Sequence, residues 1–168
     1  DSINKNQPEE NFENLNGEDA VEKIKDLVEQ ANSCFFCTKI GSSNGSFSTR
    51  PMAVQQVDDY GNLWFLSAKD SKKNVEIKED GMVQLLFQGS AYSDFLSVYG
   101  TAEISDDEDL IKQLWEPSLK TWFTEGEQDP RITVIKVTPE RGYYWDTKHA
   151  KPIGLIKRMV GAAIGKTL

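Results

Sequence analysis

The strongest constraint on this chain is a succession of short segments rich in β-branched and aromatic residues, each closed by turn-forming residues. Residues 33–41 (SCFFCTKIG), 47–57 (FSTRPMAVQQV), 63–68 (LWFLSA), 82–88 (MVQLLFQ), 95–104 (FLSVYGTAEI), 131–137 (RITVIKV) and 142–146 (GYYWD) each read as a strand. SSNG at 42–45 and DDYGN at 58–62 are turns. Pro51 implies an edge or a bulge in the second strand, and Gly100 suits a bulge or barrel bend in the fifth. Helices interrupt this series without alternating with it. One is expected over 17–32, where Asn16 can cap the start and Val21, Ile24, Leu27, Val28 and Ala31 share a face. A short one is expected over 71–79, another over 106–115 with acids in its first turn, and a last one over 152–165. A parallel doubly wound sheet needs regular strand–helix alternation, which this order does not show. Antiparallel strands this close together hide their edges by curling into a barrel. The expected fold is therefore mainly β (α+β): an antiparallel barrel with flanking helices.

Residues 1–16 are polar and aperiodic and are expected to be a flexible arm, leaving 17–168, with its C-terminal helix, as one domain. A chain of 168 residues buries about 70% of the surface it exposes when unfolded, so its core needs no disulfide or metal staple. No apolar run is long enough to span a bilayer as a helix, and no membrane association is expected. Nineteen basic against 27 acidic residues leave a net charge of −8. Such a balance does not supply the broad basic surface that nucleic acid attracts. Two cysteines only three residues apart, with no secretory leader, point to the cytoplasm.

Few residues present themselves for chemistry. The single histidine, His149, has no nucleophile near it in sequence, and one histidine with two cysteines excludes a zinc finger. Cys34 and Cys37 have C-x-x-C spacing, but inside a strand they face opposite sides, unlike a redox pair at a helix start. The acids at 106–109 lack the glycine and terminal glutamate of a calcium loop. The cations say more. Lys72 and Lys73 stand in the first turn of the short helix just after Ser71, where the helix dipole is already positive, and Arg50 lies within a strand. Two readings stand for the lysines: solvated side chains on an exposed turn, or an anion such as phosphate held between them and the free backbone N–H groups. LWFLS, just before this turn, could be a core strand or the lining of a planar ring carrying a phosphate tail.

Several motifs in order resemble the FMN-binding split-barrel superfamily that includes pyridoxamine 5′-phosphate oxidase, and more narrowly its general stress protein 26 branch. They are STRPM at 48–52, LWFLS-x₃-SKK at 63–73, MVQLLF at 82–87, VYGTAEI at 98–104, LWEPSLKTWF at 114–123, DP at 129–130 and TPERGYYWD at 138–146. GLIKRMVGAAIGK at 154–166 resembles that branch's last helix. The resemblance implies an antiparallel split β-barrel that forms a homodimer with FMN at the subunit interface. It implies that Arg50 and Ser71-Lys72-Lys73 grip the flavin phosphate. Pro51, Met52 and Ala53 would border the ring, while Phe65, Leu66 and Ser67 would line the ring and ribityl chain. Trp122 or Trp145 would come from the second subunit.

Two departures matter. The oxidases close with an Arg-Leu-x-Pro type ending that this sequence does not show, so their activity is not carried over. Gln55 and Gln56 also stand where the family often keeps a basic residue. The expected function is that of a stress-type FMN-binding flavoprotein, acting as an oxidoreductase with a small-molecule electron donor or acceptor. The alternatives are a flavin-binding protein without turnover and a dimeric interaction module without cofactor. No side chain qualifies as an acid, base or nucleophile, and no metal site is expected.

Overall fold

The computed structural model describes residues 12–42, 44–91, 94–145 and 153–156. The chain runs β1 (Phe12–Leu15), α1 (Gly17–Ala31), β2 (Ser33–Thr38), β3 (Ser48–Ala53), β4 (Gln56–Val57), β5 (Leu63–Ala68) and α2 (Lys72–Glu79). It continues with β6 (Met82–Gln88), β7 (Phe95–Ser105), α3 (Glu108–Leu114), two 3₁₀ turns (Pro117–Thr121, Gly126–Gln128), β8 (Ile132–Trp145) and β9 (Ile153–Ile156).

The hydrogen-bonded path β4–β5–β8–β7–β6–β2–β3 is antiparallel throughout and curls back on itself. Its two ends, β3 and β4, are consecutive in the chain. The segment expected as one strand over 47–57 breaks at Val54–Gln55. There the chain leaves β2 and turns to β5: Val54 N donates to Asn32 O at 3.0 Å and Gln55 N to Trp64 O at 2.9 Å. β4 covers only Leu63 and Trp64, so the far half of β5, Phe65–Ala68, pairs with β8 alone among the described strands. This uncovered edge is the split of the barrel.

The two expected strands at 131–137 and 142–146 are one, β8. Its residues Val134–Trp145 pair along one edge with β7, while the other edge serves β5 with its first half and β9 with its second. Across the gap between the two expected segments, β7 offers a continuing row of backbone partners. The mismatch is absorbed by a bulge: Tyr99 pairs with Arg141 and Gly100 with Pro139, leaving Glu140 as the extra residue. The backbones approach closely there. A Cβ added at Gly100 would run into the Thr138 carbonyl oxygen and lie 3.0 Å from Pro139 Cα. Backbone atoms cannot swing aside as a side-chain tip can, so Gly100→Ala is expected to cost about 1–3 kcal/mol, read as a lower urea midpoint with unchanged m-value.

The termini also differ from expectation. Phe12–Leu15, inside the expected arm, form β1, and Ile153–Ile156, inside the expected last helix, form β9. β9 pairs antiparallel with Gly142–Tyr144 and parallel with β1. A short apolar run such as IGLI fits either period, and the open edge of β8 decides for a strand. The remainder of the arm, the rest of the expected helix and His149 lie outside the described residues.

α1 forms as its periodicity demands, burying Ala20, Val21, Ile24, Leu27 and Val28, although the Asn16 side chain makes no capping bond. That face packs with Phe36, Phe65, Leu85, Val98 and Ile135 in the barrel interior. A second, smaller core lies beyond β5 and β8, where Leu66, Ile132 and Val134 meet Ile111, Leu114 and Phe123. α3 is shorter than the expected 106–115, because Asp107 caps it by accepting from Asp109 N at 2.9 Å and Leu110 N at 3.2 Å. Among the described residues no helix is long and apolar enough to cross a membrane.

Candidate anion site at the split of the barrel

Strand alternation divides the residues around Arg50 between two faces. Arg50 and Met52 turn toward the interior, whereas Thr49, Pro51 and Ala53 are exposed on the outer face. Arg50 pairs with Phe36 of β2, and its side chain runs beneath α2. Nη1 donates to Phe36 O at 3.1 Å and to Thr38 Oγ1 at 2.8 Å, and Nη2 reaches Glu76 Oε2 at 3.4 Å. The guanidinium is therefore held in one orientation by β2 and α2 together.

α2 begins as its sequence indicates. Ser71 is the cap, accepting from Asn74 N at 3.3 Å. Lys73 Nζ donates back to Ser71 Oγ at 3.3 Å. Burial lowers the Lys73 ammonium pKa and the neighbouring Arg50 charge lowers it further. Lys72 is mostly exposed and stands 3.9 Å from Glu76 Oε1. Burial acts to raise the Glu76 pKa, but the Thr38 hydrogen bond and the Arg50 and Lys72 charges outweigh it and hold the carboxyl below its ordinary value.

Only one of the two strongly apolar residues of α2 is buried. Val75 is exposed, while Asn74, Glu76 and Ile77 are buried. Asn74 Oδ1 accepts from Ser67 Oγ at 2.7 Å and Ser71 Oγ at 3.0 Å, and its Nδ2 donates to Thr133 Oγ1 at 2.8 Å. This buried network ties the start of α2 to β5 and β8, fixing where the lysines stand. Sequence reading missed Thr38, Asn74, Glu76 and Thr133. The one signal for Glu76 was its i, i+4 spacing from Lys72.

Arg50, Ser71, Lys72 and Lys73 are thus brought together. The other expected residues are placed elsewhere or used differently. The Phe65 ring is fully buried, edge-on to Phe36 with centroids 5.1 Å apart. Leu66 belongs to the second core, and Ser67 to the Asn74 network. Trp122 follows the first 3₁₀ turn and is 74% exposed. Trp145 lies on the outer face, stacked on Tyr143 and edge-on to Phe95. Neither tryptophan touches the cation cluster within the chain. Both cysteines are free and buried, and burial pushes the Cys34 thiol up to about 12, so it is no nucleophile. Among the described residues no group of three His, Cys, Asp or Glu could hold a metal ion.

Arg50 and Lys72 flank the buried Glu76 carboxylate and Lys73 reaches the Ser71 hydroxyl, so three cations against one buried acid leave an excess of positive charge at the α2 start. A phosphate monoester fits this donor set: charged N–H groups from a strand and a helix start, with backbone N–H groups behind them.

The curled antiparallel sheet with its split beside α2 defines a split-barrel protein. Residues 19–168 match the family described as "Pyridoxamine 5'-phosphate oxidase like". The chain belongs to that family. It is similar to protein bli-3 of Neurospora crassa, 31% identical over 153 residues, covering 83% of this chain and 73% of the relative. It is also similar in structure to general stress protein 26 of Bacillus anthracis, with a TM-score of 0.64, 26% identity and coverage of 74% and 92% of the two chains. The general stress FMN/FAD binding protein of Xanthomonas citri shares the fold, with a TM-score of 0.62, 21% identity and coverage of 75% and 89%.

Proposed function

We propose that this protein binds FMN at the split, with the phosphate on Arg50, Ser71, Lys72 and Lys73. The observation that carries the reading is that Arg50, Lys72 and Lys73 come together at the start of α2. Family membership and the FMN/FAD binding of the Xanthomonas citri relative support it. The side chains of Phe65, Leu66 and Ser67 are committed to packing, so these residues would reach the ligand through the backbone edge of β5 that β4 leaves uncovered. Bound flavin would supply the redox chemistry, with a small-molecule electron donor or acceptor. The chain's part is to hold the phosphate, exclude water from the ring and orient it.

The same reading includes a homodimer. Phe35, Leu86, Tyr143 and Trp145 on the outer face are 39–59% exposed. Three of them align across the sheet, Phe35 with Leu86 and, through Ser97, with Tyr143. Depressions of about 310 and 490 Å³ adjoin there, sharing Leu86, Phe87 and Phe95. A contiguous apolar stripe of this kind marks an interface, and a second copy would cover it and close the site. The work of such a protein would be done in the cytoplasm.

Titration with FMN and riboflavin, followed by flavin fluorescence, tests the phosphate assignment. FMN should bind far more tightly. The double variant Lys72→Ala, Lys73→Ala is expected to weaken FMN by about 10- to 150-fold for each charged hydrogen bond lost, since each contributes about 1.5–3 kcal/mol, and to leave riboflavin unchanged. Equal affinity of the unaltered protein for the two flavins would overturn the assignment. A flavin binder without turnover is the second reading, favoured because Arg50, Lys72 and Lys73 have a part only in holding the phosphate. Anaerobic reduction by a pyridine nucleotide separates the two.

A further inference from the structure

The least expected member of the cluster is Glu76, which is 2% exposed yet sits where an anion is to bind. A carboxylate that anchors an arginine is frequently met by the guanidinium fork with both oxygens. Here the fork is divided. Arg50 spends Nη1 on Phe36 O and Thr38, and gives Glu76 one long contact from Nη2 at 3.4 Å. The tight partner of Oε2 is the Thr38 hydroxyl, which also accepts from Arg50. Oε1 is buried with no hydrogen-bond partner, its nearest cation being Lys72 at 3.9 Å. The carboxylate therefore faces both cations while taking one long hydrogen bond from Arg50 and none from Lys72. Arg50, Lys72 and Lys73 against this one acid leave a net charge of +2.

We propose that Glu76 is the resident counter-anion of the phosphate site, a positioning residue that keeps Arg50 and Lys72 aligned in the free protein and opposes the incoming phosphate by its charge. The inference rests on the reading that the cluster takes a phosphate monoester, and adds what limits its affinity. Without phosphate, the carboxylate offsets the mutual repulsion of three cations. With phosphate bound, it lies beside a second anion and weakens the complex. Affinity is held below what the cations alone would give, which favours exchange of the ligand over permanent capture.

Glu76→Gln separates charge from shape, because the amide oxygen can still accept from Thr38 and Arg50. The free variant should melt at a lower temperature than the unaltered protein. FMN should bind it on the order of tenfold more tightly, the low end for removing a charge a few ångströms from the ligand in water-like surroundings. Riboflavin affinity should not change, and inorganic phosphate should raise the melting temperature more than in the unaltered protein. Glu76→Asp keeps the charge and should bind FMN within about threefold of the unaltered protein. A Glu76→Gln protein that folds only with FMN or phosphate present supports the inference. Unchanged or weaker FMN binding overturns it, as does tightening in Glu76→Asp or failure to fold even with FMN. If the unaltered protein prefers FMN to riboflavin and Glu76→Gln does not tighten it, only this inference fails. If the unaltered protein shows no preference, the phosphate reading itself fails.

Discussion

Arg50→Ala is expected to remove most of the preference for FMN over riboflavin and to cost the fold about 3 kcal/mol. The two effects have different origins. Arg50 supplies a strand guanidinium to the phosphate, worth about 1.5–3 kcal/mol for each charged hydrogen bond. It also faces Glu76, and removing one partner of a buried pair leaves an uncompensated charge, at about 3–5 kcal/mol. Arg50 is a fifth exposed and Lys72 stands near Glu76, which places the stability loss at the lower end. The pair Arg50→Met, Glu76→Leu tells the effects apart. Replacing both charges with apolar groups of similar size is often neutral for stability, so this double variant should melt close to the unaltered protein and still fail to distinguish FMN from riboflavin. Recovery of FMN binding in it would remove Arg50 from the site.

Asn74→Ala should be as costly to the fold, at about 2–4 kcal/mol, because orphaning a buried donor or acceptor costs about 1–3 kcal/mol. Three hydroxyls depend on Asn74: those of Ser67, Ser71 and Thr133. The Thr133 hydroxyl can still donate to Ser67 O, 3.0 Å away, so the loss stays below three full penalties. The consequence reaches the site. α2 buries only Ile77 as an apolar residue among Asn74, Glu76 and Ile77, so the polar network seats the helix. Urea unfolding should show the stability loss, and hydrogen exchange should place it in α2. FMN affinity should fall although Asn74 is not among the phosphate ligands. Asn74→Asp keeps the shape and buries a charge, so it should be no less costly. A loss under about 0.5 kcal/mol for Asn74→Ala, the size of an ordinary surface change, would mean that α2 is seated by Ile77 alone.

The elements legible in the sequence were those whose signals are local. LWFLSA, MVQLLFQ and the helix over 17–32 formed within a residue or so of expectation, because β-branched content and helical periodicity read out over a few neighbours. The Ser71-Lys72-Lys73 turn was visible for the same reason: two ammonium groups oppose a helix dipole within one turn. The joining of 131–146 into one strand was hidden, since it depends on β7 supplying partners across a proline and a bulge. The strand at Ile153–Ile156 was hidden too, because an apolar tetrapeptide takes its conformation from the edge it meets.

At the site the division is sharper. Composition and local pattern alone determined an antiparallel sheet, a short helix and a cation excess at its start. They could not determine which side chains face the ligand. Phe65 and Leu66 look alike as lining residues, yet alternation sends one into each core. The burial of Glu76 was decided by Thr38 and Arg50, 38 and 26 positions away in the chain. A buried carboxylate is tolerable only where distant residues bring donors to it, and only the tertiary structure brings them together.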